Sequence, residues 1–271
     1  MPDFPEVHKP RRYALITGAS SGIGYELARC AAQDGYHLVL IGRSLESLVR
    51  VATEFETAYE VTVKAIAKDL AHPMAIEEII AELQRESIPI TLLINNAGFG
   101  AYGFFHEADV VVGQQMMDVN MVALTMLTRR LLPEMVRRKD RKILNVASTA
   151  AFQPGPLMAI YYATKAYVLS LSEALANELC CTGVTVTALC PGPTRTNFQQ
   201  RAGMTATRLA GRGMMTVEAV ARIGYAGLMS GKTVVIPGRR NRLLAMVVRW
   251  VPRQMAVRAV RWLQERRRTS L

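Results

Sequence analysis

Tyr13-Ala14-Leu15-Ile16-Thr17-Gly18-Ala19-Ser20-Ser21-Gly22-Ile23-Gly24 decides how the rest of the chain is read. Tyr13 to Thr17 is a short apolar strand, and a helical pattern follows the last glycine as far as Asp34. Glycines at a strand-to-helix turn let a backbone approach a pyrophosphate closely, and a helix amino end adds free N–H groups and a favourable dipole. Gly18, Ser20, Ser21, Gly22, Ile23 and Gly24 are therefore candidate phosphate-binding positions. The spacing is G-x-x-x-G-x-G, and its place directly after the first strand gives it weight that a glycine-rich turn alone lacks.

Working outward, apolar segments recur at His37–Ile41, Val61–Ala67, Thr91–Ile94, Ile143–Ala147, Val184–Leu189 and Thr233–Ile236. Between them lie helical patterns at Pro73–Glu86, Asp109–Met135, Tyr161–Cys181 and Thr216–Met229. Such alternation predicts an α/β fold, a Rossmann-type doubly wound parallel sheet of about seven strands with helices on both faces. In open sheets of this kind ligands bind at the carboxyl ends of the strands. After the second strand an NAD signature would place an acidic residue; here Gly42, Arg43 and Ser44 stand instead. A guanidinium binds a ribose 2′-phosphate through paired charged hydrogen bonds, so Arg43-Ser44 argues for NADP. Asp69-Leu70 closes the third strand, where a carboxylate accepts from an adenine amino group or caps the next helix. Asn95-Asn96-Ala97-Gly98 closes the fourth, its small residues leaving room for a ribose.

Chemistry points to Ser148–Lys165. Tyr161 and Lys165 are four residues apart and share one helix face. A phenol titrates near pH ~10, and a cation a few ångströms away lowers that by roughly 1–3 units, giving a usable acid/base. Ser148, just past the Ile143–Ala147 strand, can reach the same carbonyl oxygen. Asn120 lies in an apolar helix; it is a structural amide or, if it bends the helix and holds a water, part of a proton path to Lys165. After the sixth strand, Pro191-Gly192-Pro193-Thr194-Arg195-Thr196 offers hydroxyls and backbone groups for a carboxamide. Asn197–Met215, with three glycines and three methionines, reads as a mobile lid.

The chain has 271 residues, half of them apolar, enough for one large core. No run of ~20 apolar residues is evident, and Met1–Arg12 lacks a secretory signal core. Cys30, Cys180, Cys181 and Cys190 show no metal spacing and read as reduced, buried or partly buried thiols in a cytosolic protein. Of the net charge of +11, +9 lies between Arg239 and Leu271 (ten Arg against one Glu). That asymmetry separates residues 1–238 from a basic extension, 239–271, with a role of its own. Met255, Ala256, Ala259, Val260, Trp262 and Leu263 fall at helical spacing among arginines. Peripheral contact with an inner membrane surface and a helical arm on the body or a second subunit are both open readings. Nucleic-acid binding is not expected, because no recognised module accompanies the charge.

Taken in order, Thr17-Gly18-x-x-x-Gly22-x-Gly24, Asn95-Asn96-Ala97-Gly98, Asn120, Ser148, Tyr161-x-x-x-Lys165 and Pro191-Gly192 resemble the classical short-chain dehydrogenase/reductase family across roughly residues 12 to 238. The resemblance implies a Rossmann-fold oxidoreductase that binds NAD(P) and moves a hydride between nicotinamide and a carbonyl or alcohol, and Arg43-Ser44 makes NADP(H) the expected cofactor. By position, Tyr161 is then the acid/base and Lys165 binds the nicotinamide ribose and lowers the phenol's pKa. Ser148 orients the substrate oxygen, Asn120 holds a relay water, and Thr194 and Thr196 contact the nicotinamide amide. A cytoplasmic homodimer or homotetramer is implied as well. Phe99, Tyr102, Phe152, Leu157, Met158, Phe198 and Met204 would line a pocket for a steroid-, acyl- or lipid-like substrate. The alternative is a non-catalytic NADP-binding protein acting through its tail.

Overall fold

A computed structural model describes residues 12–204, 207–208 and 213–265. Seven parallel strands form one sheet: β1 (Tyr13–Thr17), β2 (His37–Gly42), β3 (Val63–Ala67), β4 (Ile90–Asn95), β5 (Arg141–Val146), β6 (Val184–Leu189) and β7 (Val234–Val235). Their spatial order is β3-β2-β1-β4-β5-β6-β7, so the winding reverses between β1 and β4 and opens a crevice at their carboxyl ends. The helices are α1 (Gly22–Gln33), α2 (Leu45–Tyr59), α3 (Ala75–Arg85), α4 (Val110–Met117), α5 (Leu124–Arg138), α6 (Ala159–Glu178), α7 (Phe198–Arg201), α8 (Val217–Met229), α9 (Arg239–Val247) and α10 (Arg253–Gln264).

The strands are apolar on both faces because both faces are covered. Ala14 and Ile16 of β1 pack with Leu27 of α1, Leu48 and Phe55 of α2 and Val220 of α8. Leu15, pointing the other way, packs with Ile79 of α3, Leu127 of α5 and Leu179 beyond α6. The period-2 alternation of a strand thus feeds two helical layers.

Several expected boundaries shift by a few residues. The expected Asp109–Met135 helix runs from Val110 to Arg138 but is interrupted at Asp118–Ala123 by a π-helical segment. Val110–Arg138 is long and apolar enough, by length and composition, to cross a membrane, which corrects the expectation of no such stretch. Gln114, Gln115, Asp118 and Asn120 break the apolar run along the chain, but the helix as a whole stays apolar on average. One of its faces is committed to the fold, with Met116, Ala123, Leu127 and Met135 buried. Cys180 and Cys181 are exposed, contrary to expectation, because α6 ends before them; Cys190 is buried. Part of the expected lid, residues 205–206 and 209–212, lies outside the described residues, as do Met1–Arg11 and residues 266–271 of the basic tail.

A buried polar chain crosses the second layer. Asn95 Nδ2 donates to Thr128 Oγ1 and to Asn145 Oδ1, each at 2.9 Å. Asn145 Nδ2 donates to Ser172 Oγ at 3.0 Å, and that hydroxyl donates to Val168 O at 2.6 Å. These bonds tie β4 and β5 to α5 and α6 just below the crevice. Removing a partner here strands buried polar groups. Asn145→Ala is expected to lower the unfolding free energy by about 2–3 kcal/mol with an unchanged urea m-value, read by equilibrium urea denaturation.

Candidate active site

The glycine loop is a narrow cradle. Gly18 sits at φ +65°, and a Cβ there would come within 2.9 Å of Asn96 Nδ2. A Cβ at Gly24 would lie 2.3 Å from both Asn96 Nδ2 and Gly18 O, so no larger residue fits. Asn96 holds the loop, its Nδ2 donating to Thr17 O at 3.0 Å and Gly18 O at 3.1 Å. Thr17 Oγ1 accepts in return from the N–H groups of Asn96 and Ala97, both at 3.0 Å. The end of β1 and the end of β4 are thereby locked together. α1 begins at Gly22 with no side-chain cap and no acidic residue in its first turn. Its free N–H groups face a cradle without side chains, which fits a pyrophosphate.

Ser20 and Ser21 rim this loop, with Ile23 against the core. Arg43 is exposed at the end of β2, and among the described residues no carboxylate pairs with it. Ser44 is spent as the α2 cap, its hydroxyl accepting from Ser47 N at 3.2 Å. Asp69 is a turn cap, Oδ1 accepting from Ala71 N at 3.0 Å, and Leu70 packs beneath it on the core.

Ser148, Tyr161 and Lys165 come together from two elements. Ser148 follows β5; its Oγ accepts from Ala150 N at 3.0 Å and donates to Pro191 O at 3.4 Å, with the Tyr161 phenol near enough for the hydroxyl to act on its ionisation. Lys165 is buried on α6, one turn past Tyr161, with Nζ 5.8 Å from the Tyr161 ring centroid. Nζ donates to Val146 O at the end of β5, at 2.8 Å. The ionisation differs from the expectation. Burial pushes the phenol up to about 12, with the nearby Ser148 hydroxyl acting the other way. Lys165 is itself pushed down to about 8 by burial. In this geometry loss of water dominates both ionisations.

Asn120 lies within the π-helical segment and is buried. Its Oδ1 accepts from Phe99 N, while Nδ2 donates to Phe99 O and to Thr164 Oγ1, all at 3.0 Å. Both amide hydrogens are thus used within the protein. A Cβ at Gly98 would come within 3.0 Å of Asn120 Oδ1 and 3.3 Å of Lys165 Nζ, so Gly98 is the gap between them. Thr164, which sequence reading passed over, links Asn120 to the Tyr161 carbonyl through a 2.7 Å bond. Pro191 and Gly192 form the turn after β6, against the Asn241 side chain of α9. Thr194 Oγ1 donates to Gly192 O at 2.9 Å, and Thr196 lies beside Gly22 across the crevice.

Of the expected pocket residues, Tyr102, Met158, Phe198 and Met204 gather around Tyr161, whose ring centroid is 5.2 Å from that of Phe198. Leu157 is buried beside them, the Phe99 backbone is pinned by Asn120, and Phe152 packs in a neighbouring cluster. The tail supplies what local reading missed. Val260 of α10 joins the cluster, and buried Gln264 Nε2 donates to Tyr162 Oη at 2.8 Å. Tyr102 Oη donates to Gln264 O at 2.9 Å. A sequence signal existed: Ala256, Val260 and Gln264 fall on one helical stripe, and all three are buried.

The family profile described as short chain dehydrogenase matches residues 12–206. Ketoacyl reductase HetN of Nostoc sp. is 31% identical over 223 residues, 82% of this chain and 77% of that protein. A short-chain dehydrogenase from Sphingobium yanoikuyae, solved in complex with NADPH, is 32% identical with a TM-score of 0.80, covering 96% of this chain and 98% of the other. The bulky-bulky ketone specific alcohol dehydrogenase from Comamonas testosteroni is 30% identical with a TM-score of 0.75, covering 96% of each chain.

The Lys165 environment has a signed consequence. Its folded-state pKa lies below its unfolded value, so the unfolded chain holds the extra proton and stability rises as pH climbs through about 8. Relative to Lys165→Met, the wild type is expected to gain about 2 kcal/mol between about pH 7.5 and 9.5. Urea melts of the two proteins across that range read the difference, and a flat difference contradicts a buried, depressed ammonium.

Proposed function

This chain belongs to the short chain dehydrogenase family, and from that premise we propose that it reduces the carbonyl of an apolar substrate with NADPH, or oxidises the matching secondary alcohol. It is an oxidoreductase acting on C=O and CH–OH groups. The observation that carries the finer reading is the meeting of Ser148, Tyr161 and Lys165 at the ends of β5 and α6. The alternative of a cofactor-binding protein without chemistry finds no support in a site that keeps all three groups within reach of one another.

Bound NADPH supplies the hydride. The Ser148 hydroxyl holds the carbonyl oxygen in line with the Tyr161 phenol, which gives it a proton. A phenol pushed up to about 12 stays protonated at neutral pH, which favours its use as the acid, in the reduction direction. Lys165 offsets the negative charge left on Tyr161, an interaction strengthened by the dry surroundings. Asn120, anchored by Phe99 and Thr164, keeps Gly98 and the lysine in register and is assigned the relay water. Gly18, Gly22 and Gly24 take the pyrophosphate, Arg43 the 2′-phosphate, and the turn at Pro191–Thr196 the carboxamide.

An apolar substrate is supported by the Tyr102, Met158, Phe198 and Met204 cluster, and by relatives named for ketoacyl and bulky ketone chemistry. We assign residues 1–238 to the catalytic domain and 239–271 to a basic extension. Exposed Val110, Val111, Val122 and Met126 along α4 and α5 support pairing into a homodimer or homotetramer.

Tyr161→Phe is expected to lower ketone-dependent NADPH oxidation by at least about 100-fold while NADPH affinity, read by fluorescence titration, stays within about twofold. Retained turnover contradicts the assigned acid. Arg43→Ala is expected to lower the kcat/KM preference for NADPH over NADH by about 10–100-fold, the worth of one or two charged hydrogen bonds.

A further inference from the structure

We propose that the α9–α10 surface docks this protein on an anionic phospholipid bilayer. α10 carries two apolar stripes. Ala256, Val260 and Gln264 are buried against the body. The opposite stripe, which includes Met255 and Trp262, faces solvent, with Trp262 58% exposed. The first stripe meets the packing needs of the helix; on the second, the Arg208 guanidinium lies 4.8 Å from the Trp262 ring centroid, and more than half of that side chain still faces solvent. On α9 and the turn after it, Leu243, Met246, Val247 and Trp250 lie on one side of the helix, and Trp250 is 89% exposed. Soluble surfaces rarely leave so many large apolar groups together, and tryptophan favours the boundary between water and lipid.

Charge selects the partner. Arg239, Arg240, Arg242, Arg249, Arg253 and Arg258 are exposed, and none pairs with a carboxylate among the described residues. The one acidic residue of the extension, Glu265, is already held by Arg208 and Arg261. Two copies of so basic a face would repel each other. Anionic headgroups would instead complement it, each arginine near such a surface adding to the attraction. The long arginine side chains can keep their charge at the phosphates while the apolar groups sink below. A cavity of about 220 Å³ lies beside the patch, walled by Phe152, Pro154, Val248, Val251 and Ala256, with Arg249 and Arg253 at its edge. A recess that mixes apolar side chains with Gln153 and two guanidiniums suits a phospholipid, which is itself part apolar and part anionic, better than a nucleic acid. The inference is independent of the chemistry proposed for the crevice.

The sequence contains two tryptophans, Trp250 and Trp262, so tryptophan emission, excited selectively over tyrosine, reports on this surface. The full chain is mixed with phosphatidylcholine vesicles, with and without phosphatidylglycerol, at low and high salt. Co-sedimentation and a blue shift are expected with phosphatidylglycerol only, weakening as salt rises. Leu243→Ser with Trp250→Ser should reduce binding at least about tenfold at unchanged far-UV circular dichroism. Arg249→Glu with Arg253→Glu, which leaves the apolar groups in place, should do likewise. Failure to bind either vesicle, equal binding to both, or undiminished binding by both variants overturns the proposal. So does a blue shift that follows protein concentration without lipid, which assigns the face to a second copy. Displacement from vesicles by duplex DNA at equal phosphate also overturns it.

Discussion

Lys165 Nζ donates to the carbonyl of Val146 across 2.8 Å, and much of the site is arranged to tolerate that ammonium. A cation taken out of water is costly, and here the last carbonyl of β5, with Gly98 and Asn120 close by, supplies the surrounding polarity. The same lysine fixes where α6 lies against the sheet, and hence where Tyr161, one turn earlier, meets Ser148. The buried Asn95–Asn145–Ser172 chain serves this from below, because it sets the spacing of β4, β5 and α6. Fold and chemistry are therefore not separable in this region: the polar groups that hold the layers together also aim the reactive ones.

The parallel sheet was legible in the sequence because the central strands are apolar on both faces and are followed by punctuation. Tyr13–Thr17 and Val184–Leu189 stand where the local pattern puts them, since their flanking glycines and prolines are unambiguous. The candidate positions gather around one crevice for the same reason, being strand ends or the helices after them. The π-helical segment around Asn120 was not legible as such, because a register change in a helix depends on what the amide finds to bond with. Nor was the balance of ionisation. Local spacing puts a cation next to a phenol, but only the packed surroundings show that burial acts more strongly on both. Gln264 is the clearest miss. Its partner, Tyr162, lies 102 residues away, and no local periodicity announces such a contact.

The extension, read from charge alone as a separate tail, is bound into the body by that glutamine, by Val260 and by Asn241 under the Pro191–Gly192 turn. One side of it packs into the cluster around Tyr161 and Tyr162, and the other remains outside. Its charge was visible in the composition, whereas the division of its apolar residues between two faces required the packing.

The Gln264–Tyr162 bond has a bearing on how such proteins can be recombined. A chimera that exchanged the segment around residues 155–162 for a relative's, but kept this carboxyl end, would leave a buried amide facing an unfamiliar side chain. The two pieces are distant in the chain yet form one inheritable unit, so breakpoints for domain shuffling belong outside both of them rather than between.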